Sequence, residues 1–138
     1  MDIVTPEKRS EMMSRIRGQN TKPELLVRSL LHQSGYRFRL HRSDLPGKPD
    51  IVLPKYNLVI FVNGCFWHRH PGCSKAYTPK SRVEYWEGRF KENVERDRRN
   101  IIQLHNLGWL VVTIWECETG DIDGLRSLLR SRSSSSLF

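Results

Sequence analysis

The sequence predicts a single α/β domain built on a mixed β-sheet that is flanked by helices. Two β-branched runs, 50–53 and 57–62, are joined by a short proline-containing segment and are typical of a β-hairpin. A long charged helical segment separates them from a further apolar run at 109–115. A strand that follows a helix in this way favours a right-handed parallel crossover, so we expect 109–115 to lie beside 57–62. The 138-residue length leaves room for one such domain.

The composition indicates a cytoplasmic protein that binds a polyanion. Lys and Arg number 23 against 15 Asp and Glu, which gives a formal net charge of +8. Such an excess favours a phosphate backbone as the partner. No apolar run approaches the roughly 18 residues needed to span a bilayer, and the N-terminus lacks a secretory apolar stretch. We therefore expect no membrane association.

The first 20 residues are predicted to form a basic amphipathic arm. Lys and Arg side chains alternate there with apolar ones such as Met13. Thr21 and Glu24 then have the spacing of a capping box, which predicts the start of a helix with a core-facing leucine stripe. Gly35 is expected to end that helix.

The remaining elements follow from periodicity and turn residues. The stretch 36–40 alternates apolar and basic residues, which predicts a strand with one buried and one cationic face. Ser81 and Glu84 have the spacing of a second capping box and predict a helix that runs towards Leu107. A short helix is predicted over 121–130. The chain thus divides into an arm over 1–20, a folded domain over 21–130 and a Ser-rich tail over 131–138 that is predicted to be disordered.

Cysteine and histidine spacing predicts a metal site. Cys65, His70 and Cys73 have C-x4-H-x2-C spacing, and Cys117 follows the last predicted strand. Zinc prefers tetrahedral sulfur and nitrogen donors, and a Cys3His set with no open position is structural. Spacing alone leaves His68 as an alternative ligand to His70. The other interpretation is three reduced cysteines without a metal.

Three carboxylates and one histidine are candidates for chemistry, and each also has a simpler interpretation. Asp50 lies where a Pro-rich turn meets a buried strand, which suits either an oxygen ligand for Mg²⁺ or a turn cap. Glu24 is equally well explained as the carboxylate of its capping box, and Asp97 as a solvated helix charge. His68 lies in a polar loop, where a near-neutral imidazole is able to accept a proton from water, or is simply a surface or core histidine.

Aromatic side chains near the predicted metal site are candidates for contact with DNA bases. Phe66 and Trp67 lie in an irregular loop, and loops usually run over the surface, so we expect them to be exposed. Exposed aromatics beside cations stack on bases or wedge between them. Trp86 suits the same role. The alternative for all three aromatic residues is burial against the helix that contains Trp86, and Met13 suits a core position or a wedge.

Four motifs in a fixed order carry a family resemblance that extends from about Arg9 to Cys117. They are Pro-Gly-Lys-Pro-Asp at 46–50, Phe-Val-Asn-Gly-Cys-Phe-Trp-His-Arg-His-Pro-Gly-Cys at 61–73, KENVERDRR at 91–99 and Trp-Glu-Cys at 115–117. In this combination the chain resembles the very-short-patch repair (Vsr) DNA mismatch endonucleases.

The resemblance implies a restriction-endonuclease-like fold and a Mg²⁺-dependent enzyme of mismatch repair. The enzyme would nick one strand of double-stranded DNA beside a T:G mismatch left by deamination of 5-methylcytosine. The resemblance also implies a monomer associated with the bacterial nucleoid. Its pathway would include a cytosine-5 methyltransferase and other mismatch-repair proteins.

The resemblance further assigns roles to individual residues. Asp50 matches the Mg²⁺-binding aspartate, His68 the histidine that activates water, Glu24 the supporting acid of the N-terminal helix and Asp97 the acid of the later helix. The structural zinc ligands are matched by Cys65, His70, Cys73 and Cys117. The intercalating side chains are matched by Met13, Phe66 and Trp67, with Trp86 in support.

One departure from the family pattern affects the expected metal site. Val62-Asn63 stands where some members have Thr-His, although Val62 still offers a backbone carbonyl to Mg²⁺. The change bears on rate and metal preference more than on reaction type. Two alternatives stay open: a sequence-specific homing or restriction nuclease that cuts matched DNA, and a zinc-stabilised DNA-binding module without catalysis.

Overall fold

The computed structural model describes residues 20–133, which form one four-stranded sheet and three α-helices. Residues 1–19, which include Met13, and residues 134–138 of the predicted tail lie outside the described residues. No helix within the described part is both long and apolar enough to cross a bilayer. In chain order the elements are α1 (Lys22–Gln33), β1 (Arg39–Leu40), β2 (Ile51–Leu53), β3 (Leu58–Asn63), α2 (Val83–Asn106), β4 (Leu110–Trp115) and α3 (Ile122–Arg132).

The sheet is mixed and has the order β1-β2-β3-β4. The hairpin prediction is confirmed, because β2 pairs antiparallel with β3 and places Ile51 opposite Ile60. Asn57 closes the turn with a left-handed φ of 50°, a conformation that asparagine tolerates better than most residues. The predicted parallel crossover is also confirmed, since β3 and β4 run side by side from the pair Leu58 and Leu110 to the pair Asn63 and Trp115.

Helices cover both faces of the sheet. Alternate residues of a strand point to opposite faces, so each central strand contributes to two cores. One core packs α1 and α3 against the sheet, and the other packs α2 through Leu104. The first core contains Val27, Leu30, Leu31, Ile51, Leu53, Leu58, Ile60, Val112, Ile114, Leu125 and Leu129, and the second contains Val52, Val59 and Leu104.

The predicted strand over 36–40 is mostly wrong. Only Arg39 and Leu40 pair with β2, and both are exposed at the edge of the sheet. Tyr36 and Phe38 still pack against the core, which explains the period-two pattern. The ladder ends because His41 adopts a φ of 48° and turns the chain away.

Both predicted capping boxes need correction. At α1, Thr21 accepts a hydrogen bond from the Glu24 N–H at 3.3 Å, but the Glu24 carboxylate turns into the interior instead of returning to Thr21. At α2, Arg82 occupies the cap with a φ of 56° and makes no side-chain capping bond. Its guanidinium lies 4.3 Å from the Tyr85 ring centroid, an interaction that favours this conformation.

The last helix is confirmed and is slightly longer than expected. Asp121 caps it by accepting from the N–H groups of Asp123 and Gly124. The helix continues to Arg132, two residues into the range predicted for the tail. Arg132 is held there because it donates to both carboxylate oxygens of Glu118, at 2.6 and 2.5 Å.

Candidate active site and metal cluster

A cleft beside the carboxyl end of β3 collects most of the side chains that the sequence analysis selected. Its lining includes the start of α1, the turn before β2, the end of β3 with the loop that follows, and the middle of α2, together with His41 and Glu116. The structure therefore brings together residues that lie more than 70 positions apart in sequence. Among the lining residues are Glu24, Asp50, Phe66, Trp67, His68 and Asp97.

Asp50 lies immediately before β2 and is fixed by the neighbouring strand. Its Oδ2 accepts a hydrogen bond from the backbone N–H of Val62 in β3 at 2.7 Å. Burial raises the pKa of Asp50 above its ordinary value, because a charge is poorly solvated away from water. The groups that oppose this rise are the Val62 N–H and then His41, His68 and Arg28.

Glu24 is a buried carboxylate, with only 1% of its surface exposed. Its Oε1 lies 2.9 Å from His41 Nε2, and its Oε2 accepts from the guanidinium of Arg28. Arg28 also donates to the Asn20 side chain at 2.7 Å. A buried charge needs such partners to offset its lost hydration, so Glu24 is a paired interior acid and not a helix cap.

His41 was missed by the sequence analysis. It follows β1, and its backbone N–H donates to the Asp50 carbonyl at 3.1 Å. One ligand atom from each of Glu24, His41 and Asp50 lies within 4.8 Å of the others. Burial, the largest effect, lowers the pKa of His41, because the charged imidazolium is poorly solvated away from water. Antiparallel pairing of 36–40 with 50–53 would have placed His41 opposite Asp50, and that was the available indication.

His68 and Asp97 form a second polar pair in the cleft. His68 Nδ1 lies 2.5 Å from Asp97 Oδ2, although the two residues are 29 positions apart. Asp97 is therefore a partner of the loop histidine, and the interpretation as a freely solvated helix charge is wrong. A proton on Nδ1, donated to this carboxylate, leaves Nε2 as a hydrogen-bond acceptor.

Val62 and Asn63 complete the wall of the cleft next to Asp50. The Val62 N–H is engaged by the Asp50 carboxylate, which ties the two backbone segments together. Asp50, Glu24 and His41 thus supply oxygen and nitrogen donors on one side of the cleft, and His68 supplies a proton acceptor that lines the same cavity.

The four predicted metal ligands converge at a separate cluster. Cys65 and Cys117 come together because parallel β3 and β4 end side by side. His70 Nδ1 lies 3.6 Å from the Cys65 Sγ and 3.4 Å from the Cys117 Sγ. Of the two histidines that spacing left open, His70 is the one that lies beside the cysteines. Cys73 completes a set whose ligand atoms all lie within 4.8 Å of one another.

The donor set of this cluster fits a tetrahedral metal. Donors bonded at about 2.0–2.3 Å to a tetrahedral ion lie about 3.5–3.8 Å apart, close to the sulfur–nitrogen separations observed. Burial raises the pKa of the Cys65 thiol to about 12, and a bound cation reverses such a shift by stabilising the thiolate. The His70 ring stacks on Trp115 at 4.3 Å, which fixes its orientation.

The aromatic residues of the loop are more buried than predicted. Trp67 and Trp86 are only 4% and 5% exposed, and they form a cluster with Phe90. The expected exposure of Trp67 is wrong because α2 presents an apolar patch on which the loop packs. Asn93 supports this packing by donating to the Trp67 carbonyl at 3.4 Å. Phe66 is half-buried at the edge of the cluster, with its ring 5.8 Å from that of Trp86.

Two further residues around this cluster were not selected from the sequence. Arg69 stacks 3.9 Å from the Phe90 ring centroid and donates to the carbonyls of Ala76 and Tyr77. Tyr77 lines the cleft with 47% of its surface exposed, more than Trp67 or Trp86. Arg69 therefore stabilises the segment that contains Tyr77. The only sequence indication of this role was the position of Arg69 within the C-x4-H-x2-C motif.

Comparison with known proteins gives a consistent result. A family model described as DNA mismatch endonuclease Vsr matches residues 1–75. The chain is 51% identical over 130 residues to the type II nicking enzyme V.XorIIP of Xanthomonas oryzae pv. oryzae, an alignment that covers 94% of this chain and 95% of that protein. It is 43% identical over 116 residues to the DNA mismatch endonuclease Vsr of Escherichia coli, with 84% and 74% covered.

A solved structure of a homing endonuclease domain is similar in fold. The catalytic domain of the homing endonuclease I-Bth0305I superposes with a TM-score of 0.57 at 25% sequence identity. The match covers 82% of this chain and 94% of that domain.

We expect Asp50→Asn to raise the free energy of unfolding at pH 7 in EDTA. Because the folded-state pKa of Asp50 is raised above its ordinary value of 3.8, the ionised carboxylate destabilises the fold at any pH above the raised pKa. The gain should shrink as the pH falls through that pKa and vanish below 3.8. Urea titration at several pH values measures it.

Asp44→Asn is the matched control for that experiment. The exposed Asp44 carboxylate pairs with Arg42, which lowers its pKa, so removal of its charge should not stabilise the protein. Equal effects of the two substitutions at pH 7 would contradict the burial argument.

Proposed function

The chain belongs to the Vsr family of DNA mismatch endonucleases and is a DNA endonuclease, and from this premise we propose that it nicks one strand of duplex DNA beside a T:G mismatch with the help of Mg²⁺. The observation that carries the proposal is the shared cleft of Asp50 and the His68–Asp97 pair. Similarity to a homing endonuclease catalytic domain supports a restriction-endonuclease-like classification of the fold.

The acidic side of the cleft fits a hard divalent cation. Carboxylate and carbonyl oxygens are the ligands that Mg²⁺ prefers, and Asp50 and the Val62 backbone would hold it, with Glu24 in support. When bound, the ion polarises the phosphate and stabilises the leaving oxygen. The bond from the Val62 N–H keeps the Asp50 carboxylate in one orientation before any ion or DNA arrives.

His68 is the proposed general base. With Nδ1 hydrogen-bonded to Asp97, the Nε2 atom accepts a proton from the water that attacks phosphorus. Asp97 then stabilises the imidazolium that forms and holds the ring in the productive tautomer. The expected products are a 5′-phosphate and a 3′-hydroxyl.

Mismatch selectivity would come from the cost of deforming DNA. Basic side chains bind the phosphates, and the half-buried Phe66 enters the base stack where the T:G step is weakly paired. Trp67 would have to leave its cluster with Trp86 and Phe90 to take its predicted part in this contact. Trp86 and Phe90 pack against the rings of Phe66 and Trp67. Met13 keeps its predicted role as a further wedge, although it lies outside the described residues.

The Cys3His cluster is proposed to hold a structural zinc ion. Four protein ligands leave no open position, so the ion would not take part in hydrolysis. Its role would be to fix the loop that carries Phe66, Trp67 and His68 against the end of the sheet. Action as a monomer, association with the nucleoid and partnership with a cytosine-5 methyltransferase and other mismatch-repair proteins stay predictions.

A nicking assay tests the proposed reaction. End-labelled duplexes with and without one T:G mismatch are incubated with Mg²⁺ or EDTA. We expect Mg²⁺-dependent nicking of the mismatched duplex only. His68→Ala should lower kcat by about 10²–10⁴-fold, the usual contribution of a general base. Asp50→Ala should abolish nicking.

The control for this assay is His105→Ala, which removes an exposed histidine from the last turn of α2 and should leave nicking unchanged. Full activity of Asp50→Ala would contradict the proposed mechanism. Equal cutting of the matched duplex would instead favour the sequence-specific nuclease that the similarity to a homing endonuclease raises.

Metal analysis tests the zinc proposal. Purified protein should contain about one zinc per chain, and Cys117→Ser should lose the metal and several kcal/mol of stability. His70→Ala should also lose zinc, whereas His32→Ala, at an exposed position of α1, should keep it. Unchanged zinc content and stability in Cys117→Ser would rule out a structural zinc at this cluster.

A further inference from the structure

His41 lies close enough to both carboxylates of the cleft to be a direct metal ligand as well as a hydrogen-bonding partner. Its imidazole is close to the buried Glu24 and the partly buried Asp50, with Nε2 2.9 Å from Glu24 Oε1 and one ligand atom from each of the three residues within 4.8 Å of the others. Its backbone N–H donates to the Asp50 carbonyl, so the histidine and the aspartate are held as one unit. The side chain is only 12% exposed.

The separation of these atoms fits neighbouring ligands of one metal ion. Two ligands bonded at about 2.0–2.2 Å and at right angles lie about 3 Å apart. The distance between His41 Nε2 and Glu24 Oε1 has this value. The same distance is that of the hydrogen bond between the two groups, so a cation would bind both atoms by replacing the proton between them, with a rotation of the imidazole ring.

The remaining contacts leave one oxygen of each carboxylate to the cluster, and the guanidinium of Arg28 lies 3.5 Å from His41 Nε2. Arg28 binds the other oxygen of Glu24, and the Val62 N–H binds Oδ2 of Asp50. Each carboxylate is thus fixed through one oxygen. Arg28 balances one of the two negative charges, and a divalent cation would balance the other and the developing charge of a bound phosphate.

We propose that His41 is a direct nitrogen ligand of the catalytic cation, so that this site binds Mn²⁺ and Co²⁺ more tightly than Mg²⁺. The proposal rests on the proposed function in one respect, namely that Asp50 holds that cation. Imidazole is a good ligand for first-row transition ions, whereas Mg²⁺ prefers oxygen donors. The mixed set of Glu24, His41 and Asp50 consequently favours the transition ions.

A purely positioning role for His41 makes a different prediction. If the imidazole only orients Glu24, a glutamine would preserve the function, because its amide also donates to Oε1. Glutamine offers no ring nitrogen to a metal. His41→Gln therefore separates the two roles, and His105→Gln is the matched control at an exposed position.

The experiment uses the full-length protein with Mn²⁺ in the absence of DNA. Pulsed electron paramagnetic resonance detects the ¹⁴N coupling of an imidazole bound directly to Mn²⁺. We expect this coupling in the wild type and in His105→Gln, and its loss in His41→Gln. Calorimetry should show Mn²⁺ affinity at least about tenfold weaker in His41→Gln, with a smaller change for Mg²⁺.

The outcomes distinguish this proposal from the proposed function. Mn²⁺ that binds in an Asp50-dependent manner without ¹⁴N coupling, or with coupling that persists in His41→Gln, overturns the role of His41 alone. Mn²⁺ binding that is unaffected by Asp50→Ala overturns both the role of His41 and the placement of the catalytic ion at Asp50.

Discussion

The parallel pairing of β3 with β4 brings the carboxyl ends of the two strands to one edge of the sheet, and both polar centres depend on it. The pairing continues to Asn63 and Trp115, so Cys65 and Cys117 follow immediately at the same edge. The loop after β3 has no core of its own beyond the rings that pack on α2. Because those rings and the hydrogen bond from the Cys65 N–H to the Glu116 carboxylate fix the loop at two places, His68 contacts Asp97 across the cleft.

β3 also positions the acidic residues of the cleft, through its pairing with β2 on the other side. Antiparallel pairing with β2 places Asp50 where its carboxylate reaches the Val62 N–H. Burial raises the pKa of this acid, and the interior Glu24 adds a second negative charge nearby. Two nearby carboxylates that are shielded from water destabilise the folded protein when no metal is bound, and a bound cation would offset this cost. We therefore connect the burial of these acids to metal binding.

Features of the fold and of the candidate site could be predicted where their cause lies within one stretch of sequence. Features that depend on residues far apart in the chain could not. The hairpin and the crossover follow from runs that the sequence displays directly, and the structure agrees with them. The cysteine spacing left His68 and His70 as alternatives, and the structure places His70 beside the three cysteines. Glu24 has an ideal capping-box position, yet its carboxylate is drawn inward by His41 and Arg28, which no local rule reveals. His41 lacked any motif, and its importance depends on the register of two short strands. Trp67 is buried because of an apolar patch on a helix that begins 16 positions later.

The proposed reaction requires a cation at Asp50 that contacts the phosphate that is cut. The most direct test replaces one non-bridging oxygen of that phosphate by sulfur in a T:G duplex and compares single-turnover nicking in Mg²⁺ and in Mn²⁺. Because Mg²⁺ binds sulfur poorly and softer ions accept it, one diastereomer should be cut slowly in Mg²⁺ and regain its rate in Mn²⁺. Equal rates for both diastereomers in Mg²⁺, or a loss that Mn²⁺ does not restore, would contradict the claim.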